Sequence, residues 1–350
     1  MQKYLFMLLF TGLAVYAQAT VRTVSNNPAN PAQYADIATA VAASSSGDTI
    51  YIHGSPIAYT GPSVSNKKIA YIGPGYKPDK LLPNAATIGG FNLIGDLCSG
   101  SEFQGLIIQG YGYFQGCDSI RILRNYFTAS TELEFSATPS PTGYKGFIVE
   151  GNYFRNTLRA TYSISNTSFQ NNVFYTSALV GLQGGANVML NHNLFYGLSS
   201  GTFSVFTNLN GVLITNNIFV RSNAGTGTAA CVFNNNITWL TTENTPWAMN
   251  GNSDGGGNIA GQNPQMADEA SVEAGLFGAL ILNYTIATGP ANNAGSDAKD
   301  IGLLYDPIGF YNWDQSRNTR LPFIYSMNVT NPVIQSGGNI NVVIEARKNN

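Results

Sequence analysis

An all-β solenoid, in which short coils stack along one axis, is the fold class that three observations predict. The phrase Asn-x-Phe recurs at Asn125-Tyr-Phe127, Asn152-Tyr-Phe154, Asn172-Val-Phe174, Asn193-Leu-Phe195 and Asn217-Ile-Phe219, with a worn copy at Asn236-Ile-Thr238. The Asn-to-Asn steps are 27, 20, 21, 24 and 19 residues, a unit too small to bury its own apolar face without a neighbour stacked on it. Each copy follows a short alternating segment, for example Ile120-Arg-Ile122, Phe147-Ile-Val149, Val188-Met-Leu190 and Val212-Leu-Ile214, whose two-residue period is that of a strand with one buried face.

Aligned on the asparagine, the copies form columns. Ile120, Phe147, Thr167, Val188, Val212 and Cys231 lie five residues before it, and Ile122, Val149, Phe169, Leu190, Ile214 and Phe233 three residues before it. Residues two apart on a strand share a face, so both columns are expected to point inward, with the Phe after the turn filling the next side of the interior. Asparagine suits the turn because it tolerates the left-handed region and bonds to nearby backbone. Stacked turns can also link Asn125, Asn152, Asn172, Asn193, Asn217 and Asn236 into one ladder. A leucine-rich repeat has a similar period but wants Leu-x-x-Leu-x-Leu and helical segments, where this chain has β-branched and aromatic residues and Gly/Ser/Thr/Asn connections.

These inward asparagines resemble the ladders of right-handed parallel β-helices, the pectate-lyase-like solenoids, over roughly residues 30–305. The resemblance implies a single right-handed parallel β-helix. It also implies a search for polysaccharide lyase or hydrolase chemistry, because the motifs it rests on specify a fold and not a reaction.

Taken in order, residues 1–19 read as a secretory signal peptide: Lys3 begins it, Tyr4 to Tyr16 is largely apolar, and Ala17-Gln-Ala19 suits cleavage. The expected destination is secretion or the cell surface, with no transmembrane segment. Residues 20–46 predict a strand at Val21–Val24 and a capping helix with Tyr34, Ile37 and Val41 on one face. The helix is followed by Gly-Asp-Thr-Ile-Tyr-Ile52, which looks like the entry to many secreted β-helices. The solenoid is assigned to residues 47–305. Within it, Ala129 to Gly143 reads as a protruding loop made acidic by Glu132 and Glu134, the register from Gly110 to Asp118 is ambiguous, and Gly251 to Asn258 reads as a flexible connection. The stretch Gly289-Pro290-Ala-Asn-Asn-Ala-Gly-Ser-Asp297-Ala-Lys-Asp300-Ile-Gly302 resembles a segment found near the last coil of secreted β-helices, where the aspartates lock turns. Residues 306–350 predict a C-terminal β-hairpin cap, Ile324 to Val329 and Ile340 to Ala346 around Ser336-Gly-Gly338.

Composition narrows the function classes. The formal net charge is −2 and no basic stripe is evident, so no nucleic-acid partner is expected. With two histidines far apart, neither a His-based triad nor a zinc site has support, and His192 is assigned to the turn surface. Three cysteines do not define a disulfide framework; Cys98 and Cys117 are about one coil apart, so stacking, bridging and plain burial all remain open.

A lyase or hydrolase on a β-helix needs clustered carboxylates on outward positions. The outward columns are Arg121, Ile148, Ser168, Met189, Leu213, Val232 and Leu123, Glu150, Gln170, Asn191, Thr215, Asn234, which contain a single acid. Glu150, Arg121 and Arg124 are therefore the weak catalytic candidates, and calcium is expected only with a lyase; no metal or other cofactor is assigned. Arg121, Arg124, Arg155 and Arg159 lie on neighbouring coils as the densest charge of the repeat region; Arg155 and Arg159 are candidates for gripping anionic sugars, and Tyr126 and Tyr153 for stacking on sugar rings, as are Tyr111 and Tyr113. The expectation is a protein that binds extracellular polysaccharide or has a structural or adhesive role, the alternative a polysaccharide lyase or hydrolase acting on an acidic glycan.

Overall fold

The computed structural model describes residues 19–76, 84–128, 132–135, 144–182, 187–197, 203–270, 283–305, 323–329 and 342–347. The expected signal peptide at residues 1–19 lies almost wholly outside them. The chain winds as a parallel β-solenoid of about nine turns. One coil contributes a strand to each of three long sheets. The first sheet has eleven strands, from Val21–Val24 through Arg121–Leu123, Ile148–Glu150 and Thr167–Gln170 to Ser253–Asp254. The second has eight, from Thr87–Ile88 to Ile237–Trp239, and the third seven, from Ser63–Ser65 to Phe206–Thr207.

Register follows the sequence columns. Ile122, Val149, Phe169, Leu190, Ile214 and Phe233 are successive partners along the first sheet and all are buried. On the second sheet Phe127, Phe154, Phe174, Phe195 and Phe219 pair in register. Their rings stack face to face at centroid separations of 4.6, 5.0, 4.8 and 4.9 Å, so the strand spacing imposed by backbone hydrogen bonds also sets the aromatic contact.

The ladder asparagines are fully buried, a state tolerated only because their polar atoms are bonded. Each Nδ2 donates to Oδ1 of the next rung at 3.0–3.2 Å, and each of those Oδ1 atoms also accepts a backbone N–H from the rung before. Asn258 forms a further rung, accepting from Asn236 at 3.0 Å, and Ser253–Asp254 pairs with the preceding coil. The stretch Gly251 to Asn258 is thus the last described coil of the first sheet and not a flexible connection. One physical expectation is also corrected. The left-handed residue at the turn is the one before each ladder asparagine: Arg124, Gly151, Asn171, His192, Asn216 and Asn235, with φ between 51° and 67°. The asparagine itself supplies hydrogen bonds, and its neighbour supplies the turn.

Near the N-terminus, Val21–Val24 is itself the first strand of the first sheet, pairing with Thr49–Ile52. The helix Ile37–Ala43 starts at Asp36, whose side chain accepts from Thr39 N–H at 2.8 Å, and it buries Ile37 and Ala40 in the core. Tyr34 lies before the helix and forms a bridge with Val24. Phe323–Val329 and Val342–Arg347 pair antiparallel; the predicted turn at Ser336 to Gly338 is outside the described residues. Cys98, Cys117 and Cys231 are buried and unbridged, and the thiols of the first two donate to backbone carbonyls, Cys98 to Ile94 O at 3.4 Å and Cys117 to Gly95 O at 3.2 Å.

The third sheet was not legible as a column in the sequence. It contains Gly112–Gln115, where the register was ambiguous, and Leu133–Phe135, inside the stretch expected to be a loop. Leu133 and Phe135 are buried, so Glu134 is carried on the outward side of a paired strand, with Glu132 just before it.

Candidate functional site

The outward face of the third sheet gathers aromatic and charged side chains by register. Asn92, Tyr113, Glu134 and Arg159 are consecutive cross-strand partners. Tyr111, just before its strand, is 52% exposed and lies parallel to Tyr113, with ring centroids 6.0 Å apart and 13° between the planes. Glu132 Oε1 accepts from Arg159 Nε at 2.6 Å, and Glu134 Oε1 accepts from Thr161 Oγ1 at 3.0 Å. Gln115 Nε2 donates to Asn92 Oδ1 at 3.0 Å on the other flank. Desolvation raises the Tyr113 phenol, and the charges of Glu134 and Glu132 and the neighbouring Tyr111 phenol act in the same direction. The hydrogen bond to Glu132 holds Arg159 more firmly protonated. Two flat rings edged by acceptors, a guanidinium and two amides form a surface suited to a planar, hydroxyl-rich ligand.

A second charge cluster lies on the first sheet. Arg121 is the register partner of Glu102, and Arg121 Nη1 sits 3.6 Å from Glu102 Oε2. Arg124 Nη2 is 4.0 Å from Glu150 Oε1. Burial raises the Glu102 carboxyl, and the charges of Arg121 and Arg124 oppose that rise. The three weak catalytic candidates thus meet, joined by Glu102, which sequence reasoning missed because its strand precedes the first Asn-x-Phe repeat. Lys145 pairs separately with Asp118 at 3.9 Å. Among the described residues, no three His, Cys, Asp or Glu side chains gather at one point, so no donor set for calcium is named.

The four glycan candidates do not share a site. Arg155 follows a second-sheet strand, its guanidinium 5.7 Å from the ring centre of Tyr175, whereas Arg159 belongs to the third sheet. Tyr153 is 3% exposed and is not offered to solvent, and Tyr126 is half-buried and packs edge-on to it at 5.6 Å. The reason is a cover. Met266, Tyr284, Ile286, Ala291, Ile301 and Leu303 pack on Tyr153, Val173, Tyr175, Leu194, Tyr196, Ile218 and Ile237 along the outer face of the second sheet. That face is apolar because the middle residue of Asn-x-Phe points outward, and in these copies it is Tyr, Tyr, Val, Leu, Ile and Ile. A strand apolar on both faces requires packing on both. That alternation was the available signal.

The cover returns along the turns of the ladder. Ala294 O accepts from Asn235 Nδ2 at 2.8 Å, Ser296 N donates to Asn216 Oδ1 at 2.8 Å, and Leu304 N donates to Asn171 Oδ1 at 2.7 Å. His192, assigned from sequence to the surface, is fully buried between them. Its Nδ1 donates to Gly302 O at 2.9 Å, which leaves Nε2 to accept from Asn216 Nδ2 at 3.2 Å, with Asp297 Oδ2 also 3.2 Å away. Asp297 and Asp300 hold turns, accepting from Lys299 N and Asn293 N.

No family model, curated protein or solved structure matches this chain, so the parallel β-solenoid is shown and no pectate-lyase-like family is identified. No helix of the described residues is long and apolar enough to cross a membrane.

Proposed function

We propose that this protein is exported and binds an extracellular polysaccharide across the outward face of the third sheet. The observation that carries the reading is the parallel pair of exposed Tyr111 and half-buried Tyr113 beside Glu132, Glu134 and Arg159. Stacked aromatic rings present a rigid apolar plane to the C–H face of a sugar, and the surrounding carboxylates and amides exchange hydrogen bonds with its hydroxyls. Export is supported by the N-terminal pattern of Lys3, an apolar run and Ala17-Gln-Ala19. The test is retention on a panel of immobilised polysaccharides, with Tyr111→Ala/Tyr113→Ala expected to weaken binding by about tenfold or more. Equal retention of wild type and variant would remove this face from the function.

One observation favours a second reading, a polysaccharide lyase or hydrolase acting on an acidic glycan. The raised carboxyl of Glu102 lies beside Arg121 and Arg124, with Glu150 on the next strand. In that reading the arginines hold a uronate and a carboxyl moves a proton. An ultraviolet assay for unsaturated product from uronic-acid polysaccharides with calcium tests the lyase, and a reducing-end assay on the same polymers tests the hydrolase. Activity lost in Arg124→Ala or Glu150→Ala establishes the enzyme, and a flat trace from folded protein removes the lyase.

A further inference from the structure

We infer that the glycan taken by the third-sheet face is uncharged: a neutral, hydroxyl-rich polysaccharide and not a uronate polymer. This rests on the polysaccharide-binding reading and narrows it to a substrate class. The two rings are flanked by carboxylates. Glu134 stands next to Tyr113 in the strand register, and Glu132 lies two residues earlier, just before the strand. Both act on the Tyr113 phenol through their charge, which places them within electrostatic reach of anything stacked there. Among the described residues, Arg159 is the only arginine or lysine in this register column, and its Nε is bonded to Glu132 at 2.6 Å. Two carboxylates therefore face one guanidinium, and the guanidinium is already paired.

A uronate polymer brings a carboxylate on every acidic sugar. Set against Glu132 and Glu134, it meets like charge, and the charge of Arg159 is already offset by its pairing with Glu132. A neutral sugar suits the same groups better. Its hydroxyls donate to Glu134 and Glu132, and they exchange bonds with the Asn92–Gln115 amide pair. The paired arginines that would suit an acidic glycan, Arg121 and Arg124, lie on the first sheet with Glu102 and Glu150. The molecule thus separates its charged outer clusters by sheet, and the aromatic pair belongs to the acidic one.

Affinity electrophoresis of the folded protein tests the inference, using a soluble neutral β-glucan and an unsubstituted mannan against polygalacturonate and alginate, at low and at high salt. Expected is retardation by a neutral polymer, weakened about tenfold or more in Tyr111→Ala/Tyr113→Ala, with the uronate polymers at least about tenfold weaker at low salt. Glu132→Gln/Glu134→Gln is expected to narrow that gap by strengthening uronate binding. Uronate binding as tight as neutral binding, and lost in the tyrosine double variant, would overturn the inference while leaving the polysaccharide-binding reading intact. Absence of retardation by every polymer would overturn the binding reading itself, and the inference with it.

Discussion

Tyr153 and Tyr113 both project outward from coils of one solenoid, yet the first is buried and the second lies beside a ring that is half in water. The difference comes from what their neighbours on the stack are. Along the second sheet, Tyr153 is followed by Val173, Leu194, Ile218 and Ile237, an unbroken apolar column that water would oppose, and Met266 and the segment 283–305 fold back to remove it from solvent. Along the third sheet, Tyr113 is followed by Glu134 and Arg159, and a column interrupted by charge needs no cover. An outward tyrosine on a solenoid is therefore read by its register column. The same residue is a packing element in one column and part of an uncovered face in the other.

That contrast can be broken or sharpened by measurement, and the largest effect is expected on the covered face. Tyr175→Ala removes a ring buried under the cover and is expected to cost about 3–5 kcal/mol in denaturant unfolding. A loss below about 1 kcal/mol would mean the cover does not hold the second sheet. Gly302→Ala is next. Gly302 has φ of +95°, and an added Cβ would fall 2.4 Å from Ile218 Cδ1, so either the Ile218 side chain turns or the cover lifts to admit it. The expected cost is about 1–3 kcal/mol, with faster amide exchange confined to residues 283–305. Loss of protection spread evenly over the coils would contradict a separable cover.

The cover is also expected to respond to pH through His192. Burial lowers its pKa below the ordinary value, as does Lys299, against the opposing pull of Asp297 and of Gly302 O. In the window below about 6.5 the unfolded chain then binds more protons than the folded one, so the His192 contribution is complete above that pH and is lost as pH falls through the folded value. Protonation also ends the ability of Nε2 to accept from Asn216. Stability compared at about pH 7.5 and 5.5 is expected to fall less in His192→Asn, which keeps a residue that tolerates the left-handed turn, than in wild type. Equal falls would remove His192 from the pH response.

The smallest effect on stability is expected on the open face. Tyr111→Ala should leave unfolding within about 0.5 kcal/mol of wild type, while weakening polysaccharide binding. A large stability loss there would make Tyr111 a packing residue like Tyr175, and the distinction between the two faces would fail.

The sequence showed the first and second sheets because each leaves a strict pattern: two inward apolar residues, an asparagine, then a phenylalanine. The third sheet left none. Its strands Leu133–Phe135, Leu158–Ala160 and Phe206–Thr207 follow Asn125, Asn152 and Asn193 at unequal distances, since the connections between second and third sheets vary in length, and Gly112–Gln115 belongs to a coil with Leu106 at the ladder position. For that reason Glu132 and Glu134 looked like loop acids. Glu102 escaped notice for a related reason, lying upstream of the repeat used to align the coils. Candidates taken as one cluster from sequence, Arg121, Arg124, Arg155 and Arg159, were neighbours along the chain but occupy different sides of the coil.

The sequence by itself determined the coil: its period, its inward columns and its buried asparagine ladder follow from local alternation and from the requirement that a buried amide be bonded on every side. Only the tertiary structure decided which outward residues meet water. That depends on a segment about a hundred residues downstream returning over the second sheet, as Leu304 does to reach Asn171. No local pattern encodes such a return. It is selected because it removes an apolar column from water, and the third sheet, with charges in its column, is left open.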